Sequence, residues 1–193
     1  MSEKLDKAFA LFDAYNAQSP ETVISEGETI PAELFYAQKL YDWVIKLDPQ
    51  ASEPLLLASR CQHIGRWVIP RSDYPDGRVG YLKWRSDLAK FHAEKSAELL
   101  REAGYDEATI ERVRTINLKQ RIKTDPEVST IENALCLVFL TYQYDDLIEK
   151  MGEEKMIPIL QKTWNKMTAP GHEAALKLSY SNTGKALIEK ALA

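Results

Sequence analysis

His63 and His92 stand near the two ends of one basic, aromatic stretch, Arg60 to His92, with the sequence RCQHIGRWVIPRSDYPDGRVGYLKWRSDLAKFH. The ordinary pKa of an imidazole lies close to working pH, so these side chains are candidates for moving a proton as general acid or base. The stretch holds two of the chain's three histidines and two of its four tryptophans. Between Arg60 and Arg85, six cations (Arg60, Arg66, Arg71, Arg78, Lys83 and Arg85) face only Asp73 and Asp76, while the whole chain carries a net charge of −4. A basic segment in an acidic protein points to a local anion site rather than a general nucleic-acid surface. Guanidinium forks match phosphate or carboxylate, which makes Arg66, Arg71 and Arg85 candidate anion ligands. The competing reading pairs these arginines with acids elsewhere and makes His63 a core residue bonded to a backbone carbonyl.

The elements that must position these residues are helical. Ser52 to Arg66 has apolar and small residues at helical spacing, and His63 and Arg66, three apart, point in similar directions near its end. Ile69-Pro70 leaves the helix, because the residue before proline avoids helical geometry. Pro75-Asp76-Gly77 is a turn, and a second helix is expected from about Gly80 through His92 toward Arg101. The stretch thus reads as helix, ordered polar loop, helix, with a histidine on each helix.

The rest of the chain follows the same pattern. Helices are expected over Lys4–Ala17, from Pro31 to about Leu47, and from Glu107 to about Gln120. Thr124-Asp125-Pro126-Glu127 is a start signal for a helix running to Met151, whose run Ala134 to Leu140 is apolar all round and therefore central. Further helices are expected over Glu153 to about Lys166 and Pro170–Leu192, the last with a break near Ser181–Gly184. Val23-Ile24 and Thr29-Ile30 flank a turn at Glu26-Gly27 and permit a short hairpin. The class is all-α, about eight helices in one domain over residues 1–193.

Composition removes several function classes. The chain has 193 residues, 45% hydrophobic and 28% charged, as in an ordinary globular protein. No apolar run spans a bilayer and the start is not a secretory signal, so a cytoplasmic protein without a membrane partner is expected. Cys61 and Cys136 read as reduced core residues. No CxxC, HxxxH, G-x-S-x-G, H-E-x-x-H or GxGxxG occurs, and Thr183-Gly184-Lys185 lacks the first glycine of a phosphate loop. Trp164 is expected in the core with Lys162 and Lys166 solvated, and His172 at the surface. No basic stripe runs along a helix, so nucleic acid is not an expected partner.

The segment Ala58-Ser59-Arg60-Cys61-Gln62-His63-Ile64-Gly65-Arg66 resembles the helix of the HD superfamily in which a His-Asp-Ile-Gly sequence carries the metal. Along that resemblance, which spans roughly Pro31 to Leu140, Gln62 takes the histidine position and His63 the aspartate position. Tyr36 falls near the first family histidine and Asn133 near the last family aspartate. His92 resembles the extra histidine of HD proteins that bind two metals, and Lys119 falls near the one after it. The motifs QHIGRW, IPRSDYP, GYLKWR, CLVFL and KTW-KM are in turn similar to those of the family catalogued as domain of unknown function 4202, over nearly the whole chain. The two resemblances imply an HD-like helical core over roughly residues 31–140, and no named activity.

The altered ligand positions carry chemical consequences. Glutamine and asparagine bind transition metals poorly, and a lysine repels a cation. A divalent metal is therefore not favoured as a cofactor; its candidate donors are His63, His92 and Glu132. The favoured use of the pocket is anion recognition. Arg66, Arg71, Arg85 and Lys119 then hold a small phosphorylated or nucleotide-like metabolite, Gln62, Tyr36 and Trp67 line it, and His63 and His92 handle protons. The expected function is a hydrolase or sensor of such a metabolite. The alternative is a non-catalytic binding or adaptor protein that kept the scaffold after the ligands changed. No oligomeric state is assigned.

Overall fold

The computed structural model describes residues 3–193, and its elements are almost all helical. Helix α1 spans Glu3–Asn16 and buries Leu5, Ala8 and Phe12. A two-stranded antiparallel hairpin follows, β1 (Thr22–Ser25) and β2 (Glu28–Pro31), with Val23 opposite Ile30 and Ile24 opposite Thr29. Its turn residues Glu26 and Gly27 both have positive φ, 52° and 84°, the handedness that two-residue hairpin turns require.

Helix α2 (Ala32–Leu47) starts directly at Pro31, and α3 (Glu53–Cys61) is capped by Ser52, whose Oγ accepts from Leu55 N. Two single-turn 3₁₀ segments, Arg66–Val68 and Arg71–Asp73, carry the loop to α4 (Gly77–Ala103). This helix begins three residues before the expected Gly80. Gly80 is buried against the loop, and a Cβ there would run into the Pro75 carbonyl. Helix α5 spans Glu107–Asn117 with Asp106 as its cap. Helix α6 (Pro126–Tyr142) starts at Asp125, whose carboxylate accepts from the backbone N–H of Glu127 and Val128.

Two expected helices are each two helices, which is why ten are described rather than about eight. The apolar helix expected to reach Met151 ends at Tyr142, and α7 (Tyr144–Met151) restarts after Gln143. Continuous helical geometry through 143 is given up for tertiary contacts. Tyr144 is buried, donates to the Gly184 carbonyl at 2.9 Å, and lies edge-on to Phe139 and Tyr180. After α8 (Glu153–Trp164), the last stretch divides into α9 (Ala169–Ala175) and α10 (Asn182–Leu192), the latter capped by Ser181.

The core forms two clusters that α6 joins. Its residues Val128, Ile131 and Ala134 pack with α1 to α5, while Cys136, Leu137 and Leu140 pack with α7 to α10. Trp43 and Leu47 on α2 touch both clusters. Ile131 and Leu137 are fully buried, each contributing about 1.5–3 kcal/mol of burial relative to exposure. This rigid frame holds the end of α3, the inner face of α4, the end of α5 and the middle of α6 around one depression. No described helix is long and apolar enough to cross a membrane.

Candidate functional site

The depression is a cleft with two chambers, about 680 Å³ and about 400 Å³, that share Gln62, His63, Arg66, Leu135, Phe139, Gln143 and Leu147 as walls. His63 is placed where α3 stops. Gly65 takes the left-handed conformation, φ 66°, and turns the chain so that Arg66 follows His63 into the cleft. Gly65 is required twice over, since a Cβ there would also lie 2.7 Å from a Phe91 ring atom and 2.8 Å from one of Tyr15. His92 arrives from α4, on the stripe Tyr81, Arg85, Leu88, His92 that lines the larger chamber at helical spacing.

The two imidazoles meet across this chamber, ring centroids 5.8 Å apart and tilted by 54°. His92 Nδ1 lies 2.7 Å from the Ile64 carbonyl, which only an N–H can approach, so the proton sits on Nδ1. Its Nε2 is then a bare acceptor, buried and with no hydrogen-bond partner among the described residues. Burial is the main cause that lowers the His92 pKa to about 4, with Arg66 adding to it and the Ile64 bond opposing it. His63 is lowered well below its ordinary value by burial, then by Arg66, His92, Lys119 and Arg85. Both rings are therefore neutral at pH 7; an anion bound beside them would raise both pKa values and so strengthen them as bases.

The charges around them are mostly positive. Arg66, Arg85, Lys119 and Lys166 line the larger chamber against a single acid, Glu132. Glu132 is buried on α6, with Lys119 Nζ 2.5 Å from Oε2 and Lys166 Nζ 3.7 Å from Oε1. Lys119 reaches it from a backbone kink just past α5, with φ 54°, an unusual value for a residue with a Cβ. Lys166, expected to be solvated, is half-exposed but lines the cleft. Cys136 lies on the same wall, its thiol pushed up to about 12 by burial, which keeps it protonated and removes it as a nucleophile.

The smaller chamber is lined by Glu21, Glu33, Tyr36, Asp146, Lys150 and Asn16, besides the shared walls. Burial raises the Glu33 carboxyl to about 7, against Arg66, which lowers it, and with Glu21, which raises it further. Tyr36 is also raised, first by burial.

Of the expected site residues, the cleft brings together His63, His92, Arg66, Arg85, Lys119, Gln62, Tyr36 and Glu132. Two expected residues lie elsewhere. Arg71 lines neither chamber; its guanidinium donates to the Tyr74 carbonyl at 2.8 Å and the Pro75 carbonyl at 3.0 Å, and so ties down its own loop. Trp67 lines neither chamber and stacks on Tyr15, centroids 5.7 Å apart. Arg60 follows the competing reading, paired with Asp13. Asn133 clamps the turn before α9, accepting from Thr168 N at 2.8 Å and donating to Thr168 Oγ1 at 2.7 Å. His172 is not a free surface group: it stacks on Trp164 at 4.0 Å, and its Nε2 lies 2.9 Å from the Trp164 carbonyl.

A divalent metal held by His63, His92 and Glu132 does not fit this arrangement. The one carboxylate is already engaged by two ammonium groups, and two guanidinium groups line the same chamber. Among the described residues, no group of three or more His, Cys, Asp and Glu side chains gathers as a metal site.

Sequence reasoning missed Glu33, Asn16, Asn117, Gln143 and Asp146, all of which line the cleft. One signal was present: Glu33, Tyr36, Ala37 and Leu40 form an inward stripe at helical spacing, and an acid on such a stripe needs a reason.

Fold and cleft define an all-α protein built around a polar cavity with one cation-rich and one more acidic chamber. The family model for Domain of unknown function (DUF4202) matches residues 6–188, and the chain belongs to that family. Comparison with curated proteins and with solved structures returns no match.

Proposed function

We propose that this protein binds a small phosphate- or carboxylate-bearing metabolite in the larger chamber and hydrolyses it, with His92 as the general base. The observation that carries the reading is the buried, unpartnered Nε2 of His92, set in a chamber lined by Arg66, Arg85, Lys119 and Lys166. Arginine and lysine supply charge-assisted hydrogen bonds to the anion and stabilise charge that develops on it. Nδ1 is held by the Ile64 carbonyl, so Nε2 presents a lone pair to a water. That water loses its proton to Nε2 as its oxygen attacks the ester centre; the bond from that centre to the leaving oxygen breaks, the cations stabilise the charge on that oxygen, and the imidazolium then returns the proton to it. In this reading the scaffold is HD-like, with the metal's charge replaced by side-chain cations.

A second reading keeps the anion-binding cleft without turnover, as a binding or adaptor protein. Val79 and Leu82, exposed on the first turns of α4 beside the cleft residue Tyr81, favour it.

Calorimetry with phosphorylated metabolites, paired with product analysis, tests both. Binding is expected to fall about tenfold or more in Arg85→Ala, the effect of losing a charge-assisted hydrogen bond, and to stay within about twofold in Arg71→Ala. Turnover is expected to vanish in His92→Gln while binding persists. Binding with no turnover in the wild type supports the second reading, and affinity indifferent to Arg85 and Lys119 removes the anion site.

A further inference from the structure

The smaller chamber has the opposite character from its neighbour. Gln62 Nε2 donates to the Asn117 carbonyl at 3.0 Å, which fixes the amide and leaves Oε1 as a pure acceptor. Asn16 Nδ2 points to the Arg60 carbonyl at 3.4 Å and leaves Oδ1 likewise. Gln62 is 5% exposed and Asn16 1%, and neither oxygen has a hydrogen-bond partner among the described residues. Both residues line the chamber. Buried acceptors are rarely left unpaired in native proteins, so acceptors orphaned on cavity-lining residues, these two and Asn117 Oδ1 on the larger chamber's wall, point to donors that arrive from outside. The charges agree: Glu21, Glu33 and Asp146 line this chamber against Arg66 and Lys150, whereas the larger chamber sets four cations against Glu132.

We infer that the ligand is a bifunctional amine-bearing anion, its phosphate or carboxylate in the larger chamber and a primary amine in the smaller one, donating to Gln62 Oε1 and Asn16 Oδ1 with Glu33 and Asp146 as counter-charge. The inference rests on the anion reading of the larger chamber and adds the substrate class. An alcohol could reach the same oxygens, but it brings no charge to meet Glu21 and Asp146 or to draw Glu33, raised to about 7 by burial, into its ionised form. An ammonium brings three donors and a positive charge. His63, Gln62 and Arg66 form the shared wall, so a ligand spanning both chambers passes the histidine pair.

The test uses the full chain and matched probes. Primary ω-aminoalkyl phosphates of two to six carbons are compared by calorimetry with ω-hydroxyalkyl and plain alkyl phosphates of equal length. The expected result is an optimum chain length at which the amine binds about tenfold tighter than either analogue, the effect of charge-assisted hydrogen bonds. That preference is expected to disappear in Glu33→Gln and in Asp146→Asn, while Arg85→Ala weakens all three series together. Equal binding of amine and alkyl series overturns the amine and leaves the anion site standing. Equal binding of amine and hydroxyl series, both above alkyl, also overturns it, in favour of a polyol end. Binding of no series overturns both readings.

Discussion

Lys119 Nζ lies 2.5 Å from Glu132 Oε2, so the one carboxylate among the candidate metal donors is held in an ion pair. Glu132 is nearly fully buried while Lys119 keeps 28% of its side chain accessible. The two partners are therefore unequal. Removing the lysine leaves an acid in the interior with only Lys166 at 3.7 Å, whereas removing the charge of the acid leaves a lysine that water can reach. Lys119→Ala is expected to destabilise by about 3 kcal/mol and Glu132→Gln by no more than about 1.5 kcal/mol. Urea unfolding of the two variants checks the order. Glu132→Gln is also expected to bind phosphate about tenfold tighter, since it removes the one acid that lines the larger chamber among the described residues.

Lys119 also holds a left-handed backbone, φ 54°. A residue with a Cβ pays about 1 kcal/mol there that glycine does not. Lys119→Gly and Lys119→Ala lose the same ion pair, so Lys119→Gly is expected to be the more stable of the two by about 1 kcal/mol. Equal stability would mean that the loop changes conformation once the ion pair is gone.

Gly65 sets the direction of the chain between His63 and Arg66. Gly65→Ala combines a positive φ of 66° with a Cβ 2.7 Å from Phe91 and 2.8 Å from Tyr15. It is expected to destabilise by about 2–3 kcal/mol, the range for a core overlap with backbone strain. The distance between the two imidazoles is expected to change as well, read as altered His63 and His92 chemical shifts.

Two opposed groups set the pH dependence of stability. His92 is lowered from 6.5 to about 4, with Ile64 and Arg66 as its neighbours, and His63 is lowered in the same direction by burial, Arg66, His92, Lys119 and Arg85. Between pH 6.5 and 4 the unfolded chain takes up protons that the folded chain refuses, so their contribution is full above 6.5 and is lost as pH falls. Glu33, facing Arg66 and Glu21, is raised from 4.5 to about 7. Its contribution is full below 4.5 and is lost as pH rises toward 7. Across pH 4.5–6.5 the two oppose each other. Glu33→Gln is therefore expected to steepen the loss of stability on acidification, and His92→Gln to make it shallower. Thermal unfolding from pH 4 to pH 8 measures both slopes.

Much of the fold was legible because its signals are local. Pro31, Ser52, Asp106 and Asp125 start helices where their backbone chemistry requires, and Glu26-Gly27 makes the turn of the short hairpin that Val23-Ile24 and Thr29-Ile30 permit. Ser181–Gly184 likewise signalled the break before Asn182, but the break after Tyr142 was hidden, because Tyr144 and Gly184 decide it through a contact between distant residues. The half of the site carried by Gln62, His63, Arg66, Arg85 and His92 was visible as one stretch of unusual composition.

What the sequence by itself determined is the helical class and most element boundaries, since residue type, capping and periodicity act over a few residues; that His63 and His92 share a cleft was settled by the packing of α4 against the end of α3. Only the tertiary structure decided which cations take part. Arg66 and Arg85 line the cleft, while Arg71 is spent on its own loop carbonyls and Arg60 on Asp13. It also brought Glu33 from α2, Asn16 from the end of α1 and Gln143 from the junction of α6 and α7 to a chamber that no single segment announces. The physical reason is that charge pairing and orphaned acceptors depend on which side chains are near in space. Neither helical period nor composition carries that information.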